Sequence, residues 1–182
     1  MKIDLTSKPE EAVLKTKFAE LSRMATCPAD LIVFKGKEDD SEDWVFGYLT
    51  KERDNRGETP HVLKLAICWE EDGVMLRSFV RPETVSQWSG TLDRNGTPIF
   101  DRDVVRWFWN DGCANDRDTA VEVCTDNEFQ GSYRPLGFML RGTLRPLSKD
   151  VQEDMEVVGS IFDLPPNFIE EHNKKDVGQG KY

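Results

Sequence analysis

The sequence predicts a mainly β protein in which short antiparallel strands form a small barrel. Residues 93–96 read Asp-Arg-Asn-Gly between two strand-like segments, and they predict a turn because Asn95 tolerates a positive φ and Gly96 adopts one freely. The Asp72-Gly73 step between two apolar segments predicts a second hairpin. Later apolar segments are short and are separated by glycine and proline, which favours a barrel over a sheet with crossover helices.

Net charge limits the partners that the chain can bind. Its 182 residues include 34 Asp and Glu against 24 Lys and Arg, which gives a formal net charge of −10. Repulsion by phosphates opposes direct nucleic-acid binding, so we do not expect it. The acidic excess favours solubility, a basic protein partner, or mimicry of nucleic-acid charge.

The cysteines indicate neither a disulfide framework nor a zinc site. Cys27, Cys68, Cys113 and Cys124 form no C-x-x-C pair, and the sequence shows no secretory leader and no apolar run of membrane-spanning length. We therefore expect a cytoplasmic protein with reduced thiols and no membrane partner. There is no glycine-rich phosphate loop or dinucleotide fingerprint, and we predict no cofactor.

Residues 1–30 are predicted to be an extension whose main element is an amphipathic helix. Ser7 and Glu10 fit a capping box, and apolar residues recur at helical spacing through residues 13–25. We expect this helix to pack on the barrel of its own chain. The alternatives are that it forms a dimer or docks on another protein.

The barrel itself is predicted within residues 31–169. Residues 38–43 crowd five carboxylates into a loop that should stay solvated because like charges repel. After the turn at residues 93–96, one hairpin arm should enter the core at Ile99 and Phe100, surface over residues 101–103, and enter it again at Val104 and Val105. The remaining predicted strands are residues 31–34, 44–50, 62–69, 74–80, 120–124, 136–144 and 156–162.

The last residues are predicted to carry little structure. A helical turn is expected at residues 167–171 after Pro165 and Pro166. Residues 170–182 have almost nothing to bury, so we predict a disordered polar tail there.

Three stretches resemble the signature of the YopX family, a group of small proteins found chiefly in bacteriophages and prophages. Residues 32–49 resemble its opening strands, and residues 156–162 resemble its closing Glu-Val-Ile-Gly-Asn-Ile-Tyr. Ser86 and Arg102 depart from the pattern, because the family usually has glycine at both points. The central stretch matches the family at Thr84, Val85, Gln87, Trp88, Gly90, Asp93, Asn95, Gly96, Ile99, Phe100, Asp103 and Val105.

This resemblance covers residues 31–169 and implies an SH3-like β-barrel of phage origin, in the cytoplasm of a bacterial host, whose biochemical activity is not established. The expected fold is thus mainly β, an SH3-like barrel with an added N-terminal helix and a short C-terminal helical turn. The family pattern offers no catalytic residue. The residues expected to be structural in the motif are Gln87, Gly90, Asp93, Asn95, Gly96, Asp103 and Gly159.

Few residues suit catalysis. His61 and His172 are the only histidines, and neither is placed by the sequence against a nucleophile. Asp93, Asp101 and Asp103 are the one set of carboxylates that merits a test for metal-assisted chemistry. The competing interpretation is that Asp93 opens the turn by binding backbone amides and that Asp103 caps amides or an arginine. We predict that the protein is not an enzyme.

The remaining function is recognition of other macromolecules. We expect a non-enzymatic module that binds a protein partner or a second copy of itself through aromatic side chains. The alternative is an acidic antagonist that occupies a host protein's nucleic-acid site with the carboxylates of residues 38–43. The candidate interaction residues are Trp44, Tyr48, Trp88, Trp107 and Trp109.

Overall fold

The structure is a computed structural model that describes residues 33–54, 62–110, 116–124, 138–141, 147 and 154–177. The class is mainly β, as the sequence predicts. The strands are β1 Phe34–Lys37, β2 Trp44–Asp54, β3 Val62–Glu71, β4 Val74–Phe79, β5 Ser86–Leu92, β6 Pro98–Phe100, β7 Asp103–Asn110, β8 Asp116–Cys124, β9 Met139–Leu140 and β10 Met155–Ser160. A 3₁₀ turn, η1, covers Pro82–Thr84, and one α-helix, α1, covers Phe168–Val177.

The described strands form two antiparallel sheets, ordered β4-β3-β2-β1-β5-β6 and β10-β7-β8-β9. The chain divides into two compact units, Met1–Trp88 and Ser89–Tyr182, and the division falls within β5. The sequence predicts one domain for residues 31–169. The predicted N-terminal helix at residues 1–30 lies outside the described residues. No helix in the described part of the chain is long and apolar enough to span a bilayer.

The β3–β4 hairpin in the first unit confirms the turn predicted from the Asp-Gly step. Asp72 and Gly73 have φ of 52° and 77°. Glu71 pairs directly with Val74, so the loop contains two residues. Positive φ at both central positions defines a type I′ turn, whose twist matches that of the flanking strands.

Alternation along these strands places the core of the first unit on one face of the sheet. Val45, Ile67, Trp69 and Val80 form a buried apolar cluster. Gly47 is required where β2 bends over β3, because a Cβ there would lie 2.0 Å from the carbonyl oxygen of Cys68. A side chain at this position would therefore push β2 away from β3.

Backbone hydrogen bonds also join the end of β1 to the residues around Val80. The Arg81 amide donates to the Lys37 carbonyl at 2.9 Å, and the Asp39 amide donates to the Phe79 carbonyl at 2.9 Å. The buried Thr84 hydroxyl of η1 accepts from the Lys37 amide at 2.9 Å and donates to the Arg81 carbonyl at 2.8 Å. These bonds fix the direction in which the chain enters β5.

The second unit is organised by the predicted turn at residues 93–96. Gly96 has a φ of 77°, and β5 and β6 flank the turn as expected. The core of this unit is formed by Ile99, Val105, Trp107, Val121, Val123, Leu140 and Met155.

The arm that follows the turn corrects the sequence prediction of one continuous strand that surfaces between two buried stretches. It is two strands in different sheets, β6 and β7, with a reversal at Asp101 and Arg102. Arg102 has a φ of 62°, which a continuing strand does not permit. Asp103 is buried at this reversal, so it and Asp101 do not share a solvated strand face.

The C-terminal helix is longer than predicted. Residues 170–177 are helical, where the sequence analysis expected the start of a polar tail. The physical reason is a tertiary contact: Asn173 binds the backbone of Ala120 in β8 through both atoms of its side-chain amide. These hydrogen bonds hold the polar helix α1 against β8, and composition alone does not reveal them.

Candidate functional site

The candidate site is an exposed surface on the first unit, which we call the β2–β4 face. It consists of the outward side chains of Tyr48, Thr50 and Glu52 on β2, Cys68 on β3, and Met75 and Arg77 on β4. Tyr48 pairs with Cys68, and Cys68 pairs with Arg77, so one row crosses three strands in register. Because side chains alternate along a strand, this face is opposite the apolar cluster of Val45, Ile67, Trp69 and Val80.

Two large apolar side chains on this face are in solvent. Tyr48 is 56% exposed and Met75 is 63% exposed, while Leu63 on β3 and Val74 on β4 are similarly exposed but alternate to the opposite side of the sheet. Tyrosine, methionine and arginine are residue types that are enriched in the cores of protein interfaces. An exposed tyrosine offers a large contact area with only two side-chain torsions to fix. The surface is thus chemically suited to a protein partner.

Polar contacts hold the middle of the face in place. Arg77 forms an ion pair with Glu52. The Thr50 hydroxyl lies 3.3 Å from Glu52 Oε1, 3.3 Å from the Ala66 carbonyl and 3.5 Å from Cys68 Sγ. The Cys68 thiol in turn lies 3.8 Å from Glu52 Oε1. These contacts restrict the side chains before any partner arrives, which lowers the entropy cost of binding.

Most of the aromatic residues predicted from the sequence are not on this surface. Trp44, Trp88 and Trp107 are buried, and Trp107 belongs to the core of the second unit. The side chain of Trp109 lies outside the described part of the structure. Tyr48 is therefore the predicted interaction residue whose ring is exposed. The sequence analysis missed Met75 and Arg77, although their alternation with Val74 and Leu76 after the Asp-Gly turn was a usable signal.

Trp44 is covered by two lysines that pack on its ring. The Lys35 and Lys37 ammonium groups lie 4.8 Å and 5.5 Å from the ring centroid, and both lysine side chains are buried. Cation–π attraction stabilises this arrangement because the charges have lost most of their water. Trp44 thus has a structural role in β1–β2 packing.

The acidic loop at residues 38–43 is exposed at Asp40, Glu42 and Asp43, as the sequence predicts, but ion pairs offset part of the repulsion that the sequence also predicts. Glu42 pairs with Arg81 at 2.9 Å and with Lys37 at 3.0 Å. Hydrogen bonds from Arg81 and then Lys37 lower the pKa of Glu42 from its ordinary 4.5 to about 2. Asp39 pairs with Lys64 at 2.7 Å.

Glu38, at the start of this loop, is buried and accepts a bond from the Ser41 hydroxyl at 2.9 Å. Lys37 precedes the loop directly, whereas Lys64 and Arg81 are distant in sequence. The fold brings Lys64 to Asp39 and Arg81 to Glu42. The loop consequently presents less negative charge to a partner than its composition suggests.

Two of the three carboxylates proposed for a metal, Asp93 and Asp103, accept hydrogen bonds from backbone amides. Asp93 Oδ1 accepts from the amides of Asn95 and Thr97, each at 2.8 Å, and Oδ2 accepts from the Val157 amide at 2.9 Å. Asp103 Oδ2 accepts from the Phe100 amide at 2.9 Å. Within the described residues, no group of three or more His, Cys, Asp and Glu side chains is arranged to hold a metal ion. The geometry thus favours the structural interpretation of Asp93 and Asp103 that the sequence left open.

The other motif residues have backbone roles. Gln87 pairs with Phe34 across β1 and β5. Gly90 has a φ of 79° within β5, a conformation that a side chain would strain. Gly159 follows a register shift in β10 and lies against Leu164. His172 stacks on Phe168 with ring centroids 6.0 Å apart, while His61 lies outside the described residues.

Comparison with known proteins does not identify the chain. No family model matches the sequence, and no curated protein is significantly similar to it. One solved structure with a related backbone is that of protein EF1440 from Enterococcus faecalis. It is 14% identical over 72% of this chain and 93% of that chain, with a TM-score of 0.40.

Proposed function

We propose that the protein is a non-enzymatic module that binds a protein partner through the β2–β4 face. The observation that carries this proposal is the pair of exposed apolar side chains, Tyr48 and Met75, beside the Arg77–Glu52 ion pair. Interface anchors of this kind are aromatic, methionine or arginine side chains that lose their water on binding. Cytoplasmic location in a bacterial host is part of the same proposal.

We further propose that this module is an SH3-like barrel of the YopX type, encoded by a phage or prophage. Support comes from the strand order β4-β3-β2-β1-β5 and from η1 immediately before β5. The hydrogen bonds between the end of β1 and the residues around Val80 are also consistent with a sheet that curls toward closure. The motif residues of the proposed family, Asp93 and Gly96 among them, hold turns.

The acidic antagonist is the second candidate, and the net charge of −10 favours it. The ion pairs of Asp39 and Glu42 count against the loop at residues 38–43 as its binding surface, since three cations share that region. Such a protein would bind a basic partner, and binding would weaken steeply with salt. A metal-dependent enzyme at Asp93, Asp101 and Asp103 is disfavoured by the backbone amide bonds that Asp93 and Asp103 accept.

The proposal is tested by capture on the immobilised full chain from lysates of candidate bacterial hosts, followed by quantitative mass spectrometry. We expect one host protein to be retained in stoichiometric amount by the unaltered chain and reduced at least about tenfold by Tyr48→Ser, the loss typical of an interface anchor. Leu63→Ser is the matched control, because Leu63 is equally exposed but points from the opposite side of β3.

The outcome that rejects this proposal is retention that Tyr48→Ser leaves unchanged at low and at physiological salt. Retention of a basic protein that ignores Tyr48→Ser but disappears with salt would instead support the antagonist.

A further inference from the structure

Strand β4 ends its sheet, and among the described strands none pairs with its outer edge over residues 74–78. The Val80 amide donates to the Leu65 carbonyl at 3.0 Å, which identifies Leu65 and Val80 as a hydrogen-bonded pair. Since such pairs alternate along an antiparallel ladder, Leu76 and Ser78 also bond to β3. The N–H and C=O groups of Met75 and Arg77 therefore point away from β3, toward the open edge.

The open edge has a defined end. The Phe79 carbonyl also points away from β3, and it accepts from the Asp39 amide at 2.9 Å. As far as the described residues go, pairing along β4 is thus open from the hairpin turn up to Ser78. An unpaired edge of this kind is a template for another strand.

We infer that this edge pairs with β4 of a second copy of the chain, antiparallel, about a twofold axis that passes through Leu76. This inference rests on the proposed role of the β2–β4 face in binding a protein, and it names a second copy of the chain as one such partner. The register follows from two requirements. Residues that oppose one another must lie on the same face of the sheet, and hydrogen-bonded pairs must use the outward groups of Met75 and Arg77.

Only registers that oppose odd-numbered residues to odd-numbered residues satisfy both requirements. Opposing Met75 to Arg77 of the second copy gives four backbone hydrogen bonds. It also brings the two Leu76 side chains together on the side of the sheet that carries the apolar cluster. Moving the axis to Arg77 would oppose two guanidinium groups, which is destabilising. The structure therefore favours the axis at Leu76.

Charge and exposure agree with this register. The turn end of β4 adjoins Glu70, Glu71 and Asp72, while the other end has Arg77. Antiparallel pairing of two copies sets the acidic end of each β4 beside the Arg77 end of the other. The exposed Met75 side chain would be covered by the partner's strand in the same step.

The first test is the mass of the full chain by light scattering and sedimentation between about 1 and 500 µM, the range in which small interfaces dissociate. We expect the mass to rise with concentration from 20.9 kDa toward twice that value. Met75→Pro should hold the mass at the monomer value, because it removes an outward donor and leaves the bonds to β3 intact. Met75→Ala keeps the N–H group and should still dimerise, with association weakened at most about tenfold.

A second measurement checks the register without depending on the proline variant. Leu76→Cys should form a disulfide-linked dimer under mild oxidation, because residues on the axis oppose themselves at a separation that a disulfide spans. Val74→Cys should not, since Val74 opposes Ser78. Native cysteines are the same in both variants and cancel in the comparison.

A mass that stays at the monomer value throughout the concentration range would overturn the inference. So would a dimer that Met75→Pro leaves intact while retaining its thermal unfolding midpoint, or cross-linking at Val74 with none at Leu76. A monomer that still captures a host protein through Tyr48 would refute the dimer and leave the proposed function standing. A Leu76-linked dimer without Tyr48-dependent capture would support the dimer and refute the host-protein proposal.

Discussion

Asn173 of α1 holds Ala120 of β8 by two hydrogen bonds: its Oδ1 accepts from the Ala120 amide at 2.9 Å, and its Nδ2 donates to the Ala120 carbonyl at 3.1 Å. A side-chain amide has the same donor and acceptor pair as a peptide group, so Asn173 substitutes for a neighbouring strand residue. Among the described residues, β9 pairs with β8 at Val123 and Cys124. The helix therefore protects the adjoining part of that edge from pairing with another chain.

We predict that Asn173→Ala destabilises the protein by about 1 to 3 kcal/mol, the cost of leaving partly buried backbone groups without partners. Hydrogen exchange should accelerate at the Ala120 amide and along α1. Asn173→Asp should be at least as harmful, since a carboxylate cannot donate to the Ala120 carbonyl. Lys174→Ala is the control, because Lys174 is exposed and its ion pair with Glu170 lies within the helix. Equal exchange rates at Ala120 in Asn173→Ala and the parent chain would contradict this account.

Asp93 is predicted to be the most sensitive of the turn carboxylates. It is buried and accepts three backbone hydrogen bonds, one of which reaches Val157 in β10. Asp93→Ala leaves these amides unpaired and should cost about 3 kcal/mol or more, since bonds to charged acceptors contribute about 1.5 to 3 kcal/mol each. Asp93→Asn keeps one acceptor oxygen and should cost less.

The control for Asp93 is Glu170→Ala, whose loss should stay within about 1 kcal/mol because Glu170 is exposed and its ion pair with Lys174 lies on the surface of α1. Urea unfolding measures all three variants. If Glu170→Ala were as damaging as Asp93→Ala, the turn would not depend on these amide bonds in the way described.

The two turns, one in each unit, could be predicted from the sequence because turn chemistry is local. The residue types at positions 93–96 and at the Asp72-Gly73 step dictate the backbone within four residues. The buried state of Ile99, Phe100, Val104 and Val105 was likewise readable from their apolar character. The separation of β6 from β7 could not be predicted. It depends on a left-handed backbone at Arg102, a conformation that a non-glycine residue disfavours and that the sequence therefore does not indicate.

The interaction surface could be predicted only in part, for a different reason. Aromatic residues are large and apolar enough to be either core or contact, and periodicity did not separate Trp44 from Tyr48, which lie on the same face of β2. What separates them is the cover that Lys35 and Lys37 give to Trp44, and those lysines are brought there by strand pairing. The ion pairs of Asp39 with Lys64 and of Glu42 with Arg81 could not be predicted for the same reason.

Glu42 is predicted to titrate far below an ordinary glutamate. Hydrogen bonds from Arg81 and Lys37 favour its charged form and set its pKa at about 2, against 4.5 for the unperturbed group. Because the folded pKa is the lower one, the stabilisation is complete above about pH 4.5 and is lost as the pH falls toward 2. Carbon-detected NMR of the side-chain carboxyl gives the midpoint directly.

Arg81→Met tests the cause of that low pKa, since it removes the stronger of the two hydrogen bonds and should move the Glu42 midpoint upward toward 4.5. Arg94→Met, which interrupts an ion pair with Glu156 elsewhere, should leave the Glu42 midpoint unchanged. A Glu42 midpoint that is already near 4.5 in the parent chain would show that the two ion pairs do not form in solution.

The last prediction concerns Arg102, whose left-handed backbone lowers the stability of the fold while its side-chain contact raises it. A φ of 62° costs a non-glycine residue about 1 kcal/mol, while the Arg102 guanidinium lies 5.7 Å from the centroid of the Phe162 ring. Arg102→Gly removes the strain and the contact together and adds unfolded-state entropy, so its stability should stay within about 1 kcal/mol of the parent. Arg102→Val keeps the strain, worsens it by branching at Cβ, and loses the contact, so it should cost about 2 kcal/mol or more. Thermal and urea unfolding of the two variants decide the matter: if valine were tolerated as well as glycine, the reversal between β6 and β7 would not require the left-handed conformation at this position.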